Sequence, residues 1–110
     1  MSEHYRQGDV LLIPIAKIPT NAKSVKHENG RLILARGEVT GHHHSIAKQA
    51  GVELVTAEQA TELRMWLTIT TGEPVALTHQ EHATIMLPPG QYERRIQREY
   101  SPEQIRNVAD

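Results

Sequence analysis

The sequence predicts a small all-β domain, mainly antiparallel, of sandwich or barrel type and with one or two short helices. Short runs of aliphatic and β-branched residues recur along the chain, and turn-forming Gly, Pro and Asn residues separate them. Turn signals this frequent are typical of sandwiches and barrels. The 110 residues fit one domain, over 1–110. Phenylalanine is absent, so Val, Ile, Leu, Ala and Met must build most of the core.

The first half of the chain is predicted to consist of strands. Residues 10–15 are apolar on both faces, as in a buried strand, and Pro14 marks an edge or a bulge near its end. The Asn-Gly pair at 29–30 is the strongest hairpin signal in the chain and leads into a strand at 31–36. A short alternating strand follows at 52–55.

The second half is predicted to hold two helices and several strands. Thr56 as N-cap, with Gln59 three residues later, forms a capping box that predicts a helix of about two turns ending at 63–64. Ser101 as N-cap, with Pro at the next position, predicts a second helix over 102–109. The extended segments of this half are 65–71, 75–78, 83–87 and 92–100.

Composition narrows the classes of function. The formal net charge is −1 and the pI is about 6.7, so no basic field points to nucleic acid or to an anionic membrane. Cysteine is absent, which excludes disulfides, thiolate ligands and a cysteine nucleophile. The first residues lack the apolar stretch of a signal peptide, and no run approaches the roughly 18 apolar residues of a membrane span. We expect a soluble cytoplasmic protein, and exposed strand edges would make it easy for the chain to form a homodimer or another homo-oligomer.

Three consecutive histidines stand in mid-chain, after the turn signals of Gly37 and Gly41. If this run is extended, its side chains alternate faces, so that His42 and His44 share one face and His43 lies on the other. Two imidazoles side by side on a strand are close enough to bind one ion, and histidine is the commonest metal ligand. The alternative is a polar strand end whose rings are solvated.

A second histidine group occupies 79–82, between two apolar segments. If the two groups meet, three imidazoles, or imidazoles with a carboxylate, would give the usual catalytic arrangement for a divalent ion. The first-choice ligands are His42, His44 and His82, and the reserve is His79. Zinc, manganese, iron and nickel all stay open as the metal. The alternative is a polar hairpin tip.

Three further side chains are predicted to act beside the ion. Glu81 stands between two histidines and would serve as general base, as ligand or as partner of an imidazole. Arg98 and Tyr100 share one face of the last predicted strand, where Arg98 would hold an anionic substrate through two hydrogen bonds. The alternative for this strand is a ladder of cross-strand ion pairs, each worth little. Asp9 is interpreted as a turn former.

Five segments together resemble a small uncharacterised family of bacterial and phage proteins. They are Gln7-Gly8-Asp9-Val10, the run 37–44 with its TGHxH pattern, His79-Gln80-Glu81-His82, Leu87-Pro88-Pro89-Gly90-Gln91-Tyr92 and Gln97-Arg98-Glu99-Tyr100. The likeness spans most of the chain. It implies that these residues belong together, and it carries over no activity.

The histidine run is also similar, more weakly, to the cupins. In their first motif a glycine precedes H-x-H and a glutamate follows, on a β-barrel. Gly37 and residues 42–44 resemble that motif, and residues 88–90 resemble the turn of the second cupin motif. Glu53 lies farther along than the cupin glutamate, and Tyr92 stands where the second motif offers its histidine. This resemblance implies a small barrel with a metal site.

Two classes of function stay open from the sequence. The first is a metal-dependent hydrolase, or a related enzyme, acting on a small anionic substrate. The second is a non-catalytic module that binds a protein partner or a small anion, with the histidines as a pH-sensitive surface. The chain contains no Gly-rich phosphate loop and no nucleophile elbow that would favour another class.

Overall fold

The computed structural model describes residues 4–37, 41–59 and 62–96. These parts of the chain form strands joined by turns, without a helix, and the strands pair in antiparallel fashion. The strands are β1 Tyr5–Gln7, β2 Val10–Pro14, β3 Lys23–Ser24, β4 Arg31–Arg36, β5 His43–Ala47, β6 Val52–Gln59, β7 Glu62–Ile69, β8 Val75–Leu77, β9 Ile85–Leu87 and β10 Gly90–Ile96. The predicted all-β, antiparallel class is confirmed.

The strands form one large sheet and two small ones. The large sheet has the order β1-β2-β10-β7-β6-β3, and the small sheets are β4-β5 and β8-β9. Ser45 on β5 and Thr78 after β8 exchange two backbone hydrogen bonds of 3.0 and 2.9 Å, which join the small sheets. The order of the described strands shows neither a closed barrel nor a sandwich, so the finer architecture predicted from the sequence is not shown.

The first predicted helix is wrong. The described residues of the segment expected to be helical lie instead in β6 and β7, whose pairing runs from Val52 opposite Ile69 to Gln59 opposite Glu62. A capping box satisfies only the first backbone donors of a helix, whereas this hairpin pairs eight residues on each strand. The second predicted helix, over 102–109, lies outside the described residues.

The Asn-Gly turn is confirmed at the backbone level. Asn29 and Gly30 both have positive φ, 51° and 76°, as two-residue hairpin turns of the primed type require. Glu28 and Arg31 exchange backbone hydrogen bonds of 2.7 and 2.9 Å across it. The turn therefore fixes where β4 begins, and the pairing of β4 with β5 then sets the position of the histidine run.

Two hydrophobic clusters use alternate residues of the large sheet. The main core contains Leu12, Leu67 and Ile69 among its fully buried side chains, together with residues of both small sheets. A smaller cluster gathers Val55 and Trp66 with half-buried residues of the 15–22 segment. Because each fully buried aliphatic side chain contributes roughly 1.5–3 kcal/mol, the main core rather than any polar contact holds the small sheets on the large one.

No described segment is a helix with the length and apolar character that crossing a membrane would require. Strands β1 and β3 are the outer strands of the large sheet. Dimerisation through such edges stays a prediction.

Candidate metal centre

Three connections place the histidines at one end of the molecule. The turn between β1 and β2 carries Gly8 and Asp9, the start of β5 and the residue before it carry the first histidine group, and the β8–β9 connection carries the second. They surround an open cavity of about 420 Å³. Its lining consists of Gly8, Asp9, Gly37, His42, His44, His79, Glu81 and His82.

The structure brings the two remote histidine groups together. The ring centroid of His79 lies 4.4 Å from that of His44, 4.6 Å from that of His82 and 5.7 Å from that of His42. The rings of His44 and His82 are nearly parallel, with centroids 5.8 Å apart. All four histidines singled out from the sequence therefore lie in one cluster, whereas His43 does not line the cavity.

Two tethers hold the histidine groups side by side. The Gln80 side chain accepts a hydrogen bond from the backbone N–H of His43 (2.8 Å) and donates one to the carbonyl of Gly41 (3.0 Å). The Arg31 guanidinium donates to the hydroxyls of Ser45 (2.7 Å) and Thr78 (2.9 Å). The histidine pattern predicts neither tether, since it assigns no role to Gln80 or to Arg31.

His44 is the anchor of the cluster, because it is buried and its tautomer is fixed. Gln7, itself 3% exposed, donates from Nε2 to the carbonyls of Leu77 (2.8 Å) and Ala83 (3.0 Å). Its Oε1 must then be the acceptor, so Nδ1 of His44 donates to it over 2.9 Å. In the neutral ring the lone pair lies on Nε2, which faces the cavity residue Asp9 at 3.4 Å.

Burial also keeps His44 neutral. Desolvation, followed by repulsion from His79, lowers the pKa of His44 to about 4, although the nearby Asp9 carboxylate raises it. Desolvation and the neighbouring His82 and His42 likewise lower the pKa of His79. Neutral imidazoles are the form that binds a metal ion.

Hydrogen bonds distinguish the remaining histidines. Nδ1 of His42 donates a hydrogen bond to a carboxylate oxygen of Glu81 over 2.9 Å. Nε2 of His42 is therefore the ring nitrogen whose lone pair is available to bind an ion. His79 has the opposite arrangement, since its Nδ1 accepts the backbone N–H of Glu81 at 3.0 Å. The neutral His79 ring therefore carries its proton on Nε2. This supports the ranking of His42 as a first choice and His79 as the reserve.

The coordination shell is not preassembled. In residues 4–37, 41–59 and 62–96, no three histidine or carboxylate side chains already stand in a geometry that would hold an ion. His82 is exposed and His79 is half-buried, so both rings can change rotamer at little cost, whereas the buried His44 cannot. Binding would therefore require the rings of His79 and His82 to turn toward the fixed one.

Gly8 makes room for the ring of His82. Its φ is +60°, and a Cβ at this position would lie 2.6 Å from Nε2 of His82 and 2.9 Å from Cδ2. We expect Gly8→Ala to cost roughly 1–2 kcal/mol in backbone strain and to push His82 out of the cluster. Chemical denaturation measures the first effect, and the His82 ring signals in NMR measure the second. Gly30→Ala is the matched control, because its φ is +76° and a Cβ added there would meet nothing within 4 Å. Equal chemical shifts at His82 in both variants would contradict this expectation.

Two site residues predicted from the sequence, Arg98 and Tyr100, lie outside the described residues. Two others were missed: Gln7 was noted only as part of a motif, and Asp9 only as part of the same motif and as a turn former. The signal that could have found them is the Gln-Gly-Asp sequence itself, because a glycine with positive φ reverses the chain and presents its neighbours at the sheet end.

Comparison with known proteins identifies the family of the chain but attaches no activity to it. No curated protein and no solved structure matches the chain significantly. The cupin resemblance therefore gains no support, either from these comparisons or from the sheets. A family model with the description "Domain of unknown function (DUF8820)" matches residues 6–97, which include every cavity-lining residue. The chain belongs to this family of domains of unknown function, DUF8820.

Proposed function

We propose that this domain binds a divalent metal ion through His42, His44 and His82, with His79 as the reserve ligand. The observation that carries the proposal is the buried His44 ring, whose Nδ1 proton is held by Gln7 while Nε2 faces the cavity. Metal-binding histidines ordinarily donate their second ring N–H to an acceptor in this way, which fixes the tautomer and the ring orientation.

The donor types limit the choice of ion. The chain offers imidazoles and carboxylates but no thiolate, which suits zinc and also manganese, iron or nickel. Zinc is the first choice, because three imidazoles with an open position are its usual catalytic arrangement.

Hydrolysis is the chemistry we propose for the site. A bound divalent ion lowers the pKa of a coordinated water and polarises a substrate oxygen. Glu81, whose carboxylate is 64% exposed at the cavity, would accept the water proton. The described lining contains no Lys or Arg, so an anionic substrate would depend on the ion and on Arg98 and Tyr100. The alternative is a domain that binds a protein or small anion without metal.

The test is metal analysis of protein purified without a tag, combined with thermal unfolding. We expect close to one ion per chain, and stabilisation by about 2.7 kcal/mol when free zinc is at roughly 100 times its Kd. His82→Ala should weaken zinc binding at least about tenfold, whereas His27→Ala should leave it unchanged. Both side chains are exposed, and His27 lies outside the cavity.

The metal-free alternative makes the opposite prediction. Less than about one-tenth of an ion per chain, with no thermal shift on adding zinc, manganese or nickel, would contradict the proposal, since a ligand that binds the folded state must stabilise it.

A further inference from the structure

Asp9 lies beside the proposed metal ligands, at the tip of the tight turn between β1 and β2. The positive φ of Gly8 reverses the chain at this point and directs the Asp9 carboxylate toward the cavity. Oδ1 of Asp9 lies 3.4 Å from Nε2 of His44. An exposed carboxylate thus approaches the one ring nitrogen of His44 that faces the cavity.

Burial lowers the pKa of His44, and the Asp9 carboxylate partly opposes this through its charge and a hydrogen bond to the ring, so the contact is a long hydrogen bond only when Nε2 is protonated. Nδ1 of His44 carries the ring proton, because the amide orientation of Gln7 makes Oε1 an acceptor. In the neutral ring, therefore, the lone pair of Nε2 faces the lone pairs of a carboxylate. The separation of 3.4 Å is also longer than the 2.7–3.2 Å of an N–H···O bond. In the neutral ring two acceptors face each other, and a cation between them, either a proton or a metal ion, would remove the repulsion.

The separation matches that of two ligands on one ion. Donor atoms at about 2.0–2.1 Å from a tetrahedral ion lie about 3.3–3.4 Å apart, whereas at right angles on an octahedral ion they lie about 2.8–3.0 Å apart. The Asp9 carboxylate is 62% exposed, so burial against other side chains does not hold it beside the ring.

We infer that Asp9 is a direct ligand of the ion and that, with the histidines, it forms an imidazole–carboxylate set suited to zinc, which can expand to five ligands when water binds. This inference rests on the proposed function. It assigns the turn between β1 and β2 to the first coordination shell. It also lowers the charge of the bound centre by one.

The test compares Asp9→Asn with Glu73→Gln, which removes one negative charge outside the cavity. Zinc affinity is measured by competition with a chromophoric chelator, and the coordination is followed by the visible spectrum of the cobalt-loaded protein. We expect Asp9→Asn to weaken zinc binding by at least about tenfold and to shift the cobalt band, and Glu73→Gln to change neither. The metal-free Asp9→Asn protein should be no less stable than the original, because an amide can donate to Nε2 of His44.

The outcomes separate this inference from the proposed function. If the original protein binds zinc and Asp9→Asn binds it equally well, the ligand assignment is wrong while the histidine site stands. An equal loss of affinity in both variants would show a long-range effect of charge and would overturn the assignment. If the original protein binds no zinc, both proposals fail.

Discussion

Replacing Gln7 by Met is expected to lower the free energy of unfolding by about 2–4 kcal/mol and to weaken zinc binding by roughly 10–100-fold. Met has a similar volume, so packing is largely kept. The change removes both donors that serve the carbonyls of Leu77 and Ala83 and the acceptor for His44. Since Gln7 is 3% exposed, water cannot readily replace these partners. The imidazole is then free to rotate or to change tautomer.

Urea unfolding and zinc titration measure the two effects of Gln7→Met separately. Gln49→Met is the matched control, because Gln49 is exposed and makes a hydrogen bond to the carbonyl of Ala47. We expect the control to change stability by less than about 0.5 kcal/mol. If Gln7→Met behaves like Gln49→Met in both measurements, Gln7 does not orient His44.

Lowering the pH is expected to destabilise the metal-free protein through His44. The pKa of His44 is about 4 in the folded state, against an ordinary value of 6.5. The unfolded chain therefore takes up a proton that the folded chain resists, and stability falls as the pH drops from about 6.5 toward 4. The stability that the neutral His44 contributes is fully present above about pH 6.5. It is lost as the pH falls, and it changes no further below about pH 4. Its size between about pH 7.5 and pH 4.5 is on the order of 2–3 kcal/mol.

His44→Gln isolates this contribution from those of the other titrating groups that face the ring, which are Asp9, His79 and His82. Glutamine takes up no proton in this range, so the variant should lose less stability between about pH 7.5 and pH 4.5 than the original protein does. Urea unfolding at the two pH values supplies the comparison. Parallel pH profiles for the two proteins would mean that His44 is protonated as readily in the folded state as in the unfolded one.

The strands could be predicted from the sequence where local chemistry and tertiary structure agree. The Asn-Gly turn is an example, since Asn29 and Gly30 tolerate positive φ and the flanking residues alternate. The β6–β7 hairpin was missed because Thr56 and Gln59 form a locally valid helix start. Cross-strand pairing and the burial of Trp66 and Val55, which depend on partners elsewhere in the chain, outweigh that signal.

The candidate site was predictable in its histidines but not in its supporting residues. Histidines at the ends of aliphatic strands stand out in any sequence, and their convergence requires only that two connections lie at the same end of the sheet. The role of Gln7 depends on the Leu77 and Ala83 carbonyls, 70 and 76 residues away. No local pattern specifies such a partner, and the same holds for the 3.4 Å approach of Asp9 to His44.

A crystal structure of the zinc-soaked protein, with anomalous scattering recorded at the zinc edge, tests most directly whether the histidine cluster holds an ion. We predict one strong peak at about 2.0–2.1 Å from Nε2 of His44, with His42 and His82 among the other ligands. The rings of His79 and His82 should have turned from their metal-free positions. A peak elsewhere on the surface, or none beside an unchanged His44–Gln7 pair, would contradict the proposed metal centre.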